Sequence, residues 1–184
     1  MTRKEALDLV HTYIKNENLC RHCLAAEAVM AALADRLGQE RETWALAGLL
    51  HDLDVEMTRA DLTVHGLETV RILDLYGVDA QVLEAIKMHN EEAHGEKRTT
   101  VFHHALAAGE TVTGLIVATA LVQPGKKLAG VRPESVVKRM KEKAFARSVN
   151  RDIIRECSEL GMSLDEFVAV ALGAMQDISD ELGL

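Results

Sequence analysis

The chain has 184 residues, 48% of them apolar, enough to bury a full core and too many for a disordered segment. Lys and Arg number 21 against 29 Asp and Glu, and the net charge of −8 excludes general affinity of the whole surface for nucleic acid or an anionic membrane. Aromatics are scarce at 3%, and Ala, Leu, Glu and Lys abound, which points to an all-α protein of one domain, 1–184.

Thr2-Arg3-Lys4-Glu5 has the spacing of a capping box and opens a helix to about Lys15. Asn18 is placed to cap a second helix, Leu19 to Leu37, which Gly38 stops. A third helix carries Trp44-Ala45-Leu46-Ala47-Gly48-Leu49-Leu50, apolar on every face and so expected to be buried nearly all round. It runs straight into His51-Asp52-Leu53-Asp54. Polar groups at the end of the most buried helix are costly unless something binds there. Val64 to Leu75 and Asp79 to Met88 are predicted as two helices separated by Gly77, closed by the polar loop His89 to Gly95. Thr99 to Val122 predicts a long central helix ended by Pro124-Gly125. Pro133 suits the first turn of a helix from Glu134 to about Lys143, and Asn150 caps another to Leu160. Ser163-Leu164-Asp165-Glu166 opens the last helix, which ends near Gly183. The total is roughly nine helices and no strand. No repeat or linker interrupts the chain. Its ligand-bearing core is expected over about 18–122, followed by a basic helical extension over about 126–184. No uninterrupted apolar run reaches the ~18–20 residues of a membrane span, and the N-terminus lacks the order of a signal peptide. Three cysteines cannot supply a disulfide framework, so a cytoplasmic, reduced protein is expected.

His22 falls inside a predicted helix, His51-Asp52 at the end of the buried one, and His65 and His89 each at a helix end. Glu110 interrupts an otherwise apolar helix. A lone histidine among apolar neighbours is usually a satisfied core residue. Two histidines with two carboxylates, His22, His51, Asp52 and Glu110, have no basic partner nearby except Arg21, which should point away. Such groups coexist in a core most readily by ligating a cation. His103, seven residues before Glu110, shares its helix face; it either approaches the site or has a surface or helix-capping role. Asp54 and Glu56 are either acceptors behind the ligands, proton carriers or loop charges. Cys20 and Cys23 form a C-x-x-C that has no second pair and is expected to pack, as is Cys157. Nine basic residues lie between 126 and 151 against Glu134 and Glu142, a segment of +7 in a chain of −8. That island either greets a phosphate-bearing ligand or is a solvated face.

His22, the buried helix ending in His51-Asp52, and a downstream carboxylate resemble the H…HD…D signature of the HD superfamily of metal-dependent phosphohydrolases. Val64-His65-Gly66-Leu67 and Ala85-Ile86-Lys87-Met88-His89-Asn90 are similar to the extra histidines of members with two-metal sites. The run from Thr113-Gly114 to Val122, with Lys126-Lys127 and Ser135 to Ile154, is similar to small stand-alone HD proteins, so the likeness covers about residues 18–155. It implies a helical bundle with the metal site between its central helices. His22, His51, Asp52 and Glu110 would hold one divalent cation, and His65 and His89 a second, with Asp52 between them. The mixed donor set suits Mn, Fe, Co, Ni or Zn better than Mg. Asp52, His65 and His89 would then take part in hydrolysing a phosphate ester or anhydride. The implied substrate is a nucleotide or other small phosphorylated metabolite, with Lys127 and Lys138 as phosphate contacts. No nucleic-acid polymer or membrane partner is expected, and the oligomeric state is left open. Glu110 stands where the family has aspartate, which keeps alive a non-catalytic metal-binding sensor or ligand-binding module. A helical interaction protein is the third reading and needs the ordered His/Asp/Glu set to be accidental.

Overall fold

Capping chemistry sets the first helices of the computed structural model, which describes residues 1–184. The Thr2 side chain accepts from the Glu5 N–H while the Glu5 carboxylate accepts from the Thr2 N–H at 2.7 Å, opening α1 (Arg3–Tyr13). α2 (Glu17–Leu37) starts two residues before the expected Leu19. Its cap is Asn16, whose side chain accepts from the Asn18 N–H at 2.9 Å, so Asn18 lies within the first turn. Gly38, at φ 65°, ends α2 as expected. α3 (Arg41–Leu50) carries the all-apolar run, with Trp44, Ala47, Gly48, Leu49 and Leu50 buried.

α4 (Leu67–Asp74) begins three residues later than Val64, because Gly66 turns the chain at φ 91°, a conformation open to glycine and not to a helix. α5 (Ala80–His89) is capped by Asp79, and α6 (Val101–Leu121) by Thr100. Pro133 opens α7 (Pro133–Arg139), which stops short of the expected Lys143. Residues 140–150 instead form an irregular loop around Arg151, whose guanidinium donates to the Ala146 and Val149 carbonyls at 2.6 Å. The helix expected to run to Leu160 is divided into α8 (Arg151–Arg155) and a 3-10 turn, Glu156–Leu160. α9 (Leu164–Asp177) and a last short turn, α10 (Ser179–Leu182), are separated by Ile178. Ten α helices and no strand result, an all-α architecture.

α6 is the axis of the packing, touching α2, α5, α7, α8 and α9. By length and composition it could cross a membrane, but most of its apolar stretch is enclosed by the other helices. The core built on it includes Met30, Leu33, Leu49, Leu50, Ile86, Leu106, Ile116 and Phe167, each worth ~1.5–3 kcal/mol of burial. The Trp44 and Phe102 rings stack at 4.9 Å and join α3 to α6. At Gly48 the α3 backbone approaches α2 so closely that a Cβ would stand 2.5 Å from the Ala26 carbonyl oxygen. This close contact brings His22 of α2 beside His51 at the end of α3.

Candidate metal centre

Four histidines and one aspartate converge where α3 ends. His51 is fully buried, and its Nδ1–H donates to the Gly48 carbonyl at 2.8 Å. His89, the last residue of α5, donates Nδ1–H to the Ile86 carbonyl at 2.5 Å. His22 Nδ1 lies 3.0 Å from the Thr113 hydroxyl, which spends its own hydrogen on the Glu110 carbonyl at 2.6 Å. The hydroxyl therefore accepts from His22. In each case the hydrogen-bond network assigns the proton to Nδ1 and leaves Nε2 with a bare lone pair.

The His22 and His51 lone pairs face one another, Nε2 to Nε2 at 3.2 Å, and that of His89 faces Nε2 of His65 at 3.1 Å. Asp52 Oδ1 is 3.2 Å from His51 Nε2, 3.1 Å from His65 Nε2 and 3.8 Å from His89 Nε2, while Oδ2 is 3.5 Å from His22 Nε2. The donors form two compact sets, His22–His51–Asp52 and Asp52–His65–His89, that share the aspartate. Bare nitrogens at 3.2 Å repel unless a positive charge lies between them. Edges of this length also suit ligands standing about 2.1 Å from a common centre. The donor set therefore fits a divalent cation, and imidazole with carboxylate is the chemistry of Zn, Fe, Ni, Co and Mn.

Electrostatics agrees. Burial lowers the pKa of His51 to about 4, despite the Asp52 charge. Burial together with the neighbouring His51 and His65 lowers His89 to about 3, and burial also lowers His22. Burial would raise Asp52, but the surrounding histidines hold it well below the usual carboxylate range. His65 behaves differently. Burial works to lower it, yet its bonds to Asp52 and Asp54 win and push it up to about 10. Asp54 is itself fully buried and accepts from His65 Nδ1, the Gly66 N–H and the Thr69 N–H at 2.7, 2.7 and 3.2 Å. Asp54 thus stands as an acceptor behind His65 and fixes its ring.

Glu110 adjoins the first set from α6, with Oε2 3.6 Å from His22 Nε2. Burial raises its pKa to about 8, against the hydrogen bond from Thr111. The side chains of His22 and Glu110 are 24% and 19% exposed and mark the open side of the site. Elsewhere the expectations divide. Arg21 points outward to Glu17. His103 receives the Thr99 N–H at 3.4 Å, the helix-end role. Glu56 binds the backbone of Lys15 and Asn16 as a loop anchor. Cys23 and Cys157 are buried and Cys20 half-buried; none belongs to a ligand set. Lys127 and Lys138 are exposed, on the loop before residue 128 and on α7. Thr113, Asn90 and Arg98, bonded to the clustered histidines or their backbone, and Thr69, bonded to Asp54, are not singled out by sequence. Only the place of Asn90 beside His89 hinted at a role.

Cation binding must displace protons, and the shifts fix the sign. His65 keeps its second proton below about pH 10, and Glu110 its proton below about 8. His51 and His89, at about 4 and 3, are already bare at neutral pH. Apparent affinity is therefore expected to rise with pH between 6 and 8, by about one to two log units per pH unit. Calorimetry in buffers of different ionisation enthalpy reads the released protons. Affinity independent of pH would remove Glu110 and His65 from the ligand shell.

Comparison with known proteins agrees with the arrangement. A family model described as HD domain matches residues 19–130. Ribonuclease Y of Deinococcus radiodurans is 24% identical over 127 residues, 69% of this chain, which spans only 20% of that relative's length. No solved structure matches.

Proposed function

The chain belongs to the HD-domain family of metal-dependent phosphohydrolases, and from that premise we propose that it hydrolyses a phosphate ester or anhydride in a nucleotide or other small phosphorylated metabolite. The observation that carries the reading is the pair of imidazole Nε2 atoms held 3.2 Å apart with both protons committed elsewhere, beside a shared aspartate. Asp52 joins two donor sets, each taken to hold one cation. A divalent cation bound there supplies Lewis acidity, bringing the pKa of water from about 15.7 towards about 7 and screening the phosphoryl oxygens.

The protein's own groups have distinct tasks. Backbone carbonyls at Gly48 and Ile86 and the Thr113 hydroxyl present Nε2 of His51, His89 and His22 to the cations. Asp54 holds the Nδ1–H of His65 so that Nε2 faces Asp52. The low exposure of His51, His65 and His89 excludes bulk water from that side and leaves the His22–Glu110 side for substrate. Lys127 and Lys138 are assigned to phosphate recognition on charge alone. The protein is taken to be cytoplasmic.

Phosphatase assays across mononucleotides with added Mn, Co or Ni test the reading, with a short ribo-oligonucleotide included because of the name of the Deinococcus relative. Release of phosphate from mononucleotides that chelation abolishes is expected; cleavage of the oligonucleotide alone would replace the small-substrate reading. A protein that binds the cations and turns over none of these substrates would instead be a sensor or ligand-binding module.

Glu110 discriminates between the two. As a ligand it is held ionised by the cation. Glu110→Asp, the residue the family carries, is expected to keep cation binding and change turnover moderately. Glu110→Gln, isosteric and neutral, should weaken affinity by about 10-fold or more and depress turnover with it. Bound metal and rate are measured together; parental affinity in Glu110→Gln would exclude Glu110 as a ligand and favour the sensor.

A further inference from the structure

Resting on the reading that Asp52, His65 and His89 hold a second cation, we propose that Arg98 is a positioning residue for that set, anchored by Glu156 of the C-terminal part of the chain. The last carbonyls of a helix lack partners within it. At the end of α5 these include Met88 and His89, and Arg98 Nη1 donates to both, at 2.9 and 3.1 Å. The His89 ring is referenced to the same turn through its bond to the Ile86 carbonyl. Whatever fixes this turn therefore fixes His89 Nε2 against His65 Nε2 and Asp52.

The other edge of the guanidinium is fully engaged. Nε and Nη2 donate to the two oxygens of Glu156 at 2.7 and 2.8 Å, and His104 Nδ1 meets the same carboxylate at 2.7 Å. The Arg98 side chain is only 5% exposed, so its charge is matched inside the protein. A planar fork spans the two carbonyls and the carboxylate at once; a lysine ammonium cannot reproduce that geometry. Next to this clamp, Asn90 Nδ2 donates to the Leu62 and His65 carbonyls at 2.7 and 3.0 Å, tying the His65 backbone to the same helix end. Glu156 lies beyond the 19–130 segment that the family match covers. The second donor set thus depends on a residue outside the matched segment that supplies its ligands.

Arg98→Lys and Glu156→Gln, both conservative, are titrated with Mn(II) alone beside the parent, and electron paramagnetic resonance reads exchange coupling between paired ions. Circular dichroism and thermal midpoints without metal check folding. The parent is expected to bind two equivalents. Both variants should stay folded, weaken one equivalent by about 10–100-fold and lose the coupled signal at limiting Mn(II), the other equivalent being unchanged. Two equivalents at parental affinity in the folded variants overturn the positioning role and leave the two-cation reading intact. Parallel weakening of both equivalents with a lowered midpoint makes Arg98 a purely structural cap and also overturns it. A parent that binds a single Mn(II) defeats the two-cation reading itself, and the proposal with it.

Discussion

Replacing Asp52 with Ala is expected to abolish cation retention and hydrolysis together while the helices stay folded. Asp52 is the one residue common to both donor sets, with an oxygen within 3.8 Å of the Nε2 atom of each of the four histidines. Without it the second set is reduced to two imidazoles and the first to two imidazoles beside Glu110, and the carboxylate charge shared by both positions is gone. Affinity should fall on the order of 100-fold or more at both positions, beyond what loss of a supporting hydrogen bond costs. Folding is not at risk from the same change. The carboxylate faces only the histidines, while α2, α3 and α6 are held by Met30, Leu33, Leu49, Leu50 and Leu106. Elemental analysis and far-UV circular dichroism on one sample check both halves of the expectation. Full metal content in Asp52→Ala would remove this residue from the centre of the site.

Gly48→Ala is expected to be the most damaging single methyl in the protein. Its Cβ would meet the Ala26 carbonyl oxygen at 2.5 Å, the carbonyl carbon at 2.7 Å and the Glu27 nitrogen at 2.9 Å. All three are backbone atoms of α2, which cannot swing aside as a flexible side chain would. Relief requires α2 and α3 to separate, at a cost of about 3 kcal/mol or more, or roughly 6–12 °C in thermal midpoint for a chain of this size. The same movement opens the site. Ala26 is one turn from His22 on the same face of α2, and the Gly48 carbonyl is the acceptor that fixes His51. Cation affinity should therefore fall together with stability. Gly130→Ala is the control, because nothing lies within 4 Å of its Cβ position and its backbone conformation is ordinary. A Gly48→Ala protein within about 1 kcal/mol of the parent would show that α2 and α3 can repack without strain.

What could be read from sequence, and what could not, follows from the range of the interactions. The capping box at Thr2 and the stop at Gly38 are local, so residue types reveal them. The apolar run of α3 ending in His51-Asp52 shows that polar groups enter a buried place, and the structure puts the His/Asp cluster there. Asn16 and Asn18 are chemically equal caps; only backbone conformation chooses between them. The late start of α4 was hidden because Asp54, twelve residues earlier, accepts the Gly66 N–H and holds the turn. Gly48 looked like one more small residue in an apolar run, since closeness to Ala26 is a property of two helices rather than one. Arg98 and Glu156 are 58 positions apart, and no spacing rule joins them.

The most direct test of a cation centre at Asp52 is anomalous diffraction from crystals of the Mn- or Zn-reconstituted protein, collected at the metal edge. Two peaks are expected, one bonded to His22, His51, Asp52 and Glu110 and one to Asp52, His65 and His89. A map with no peak beside Asp52, or with its only peak elsewhere on the chain, would contradict the assignment of the site and the phosphohydrolase reading that depends on it.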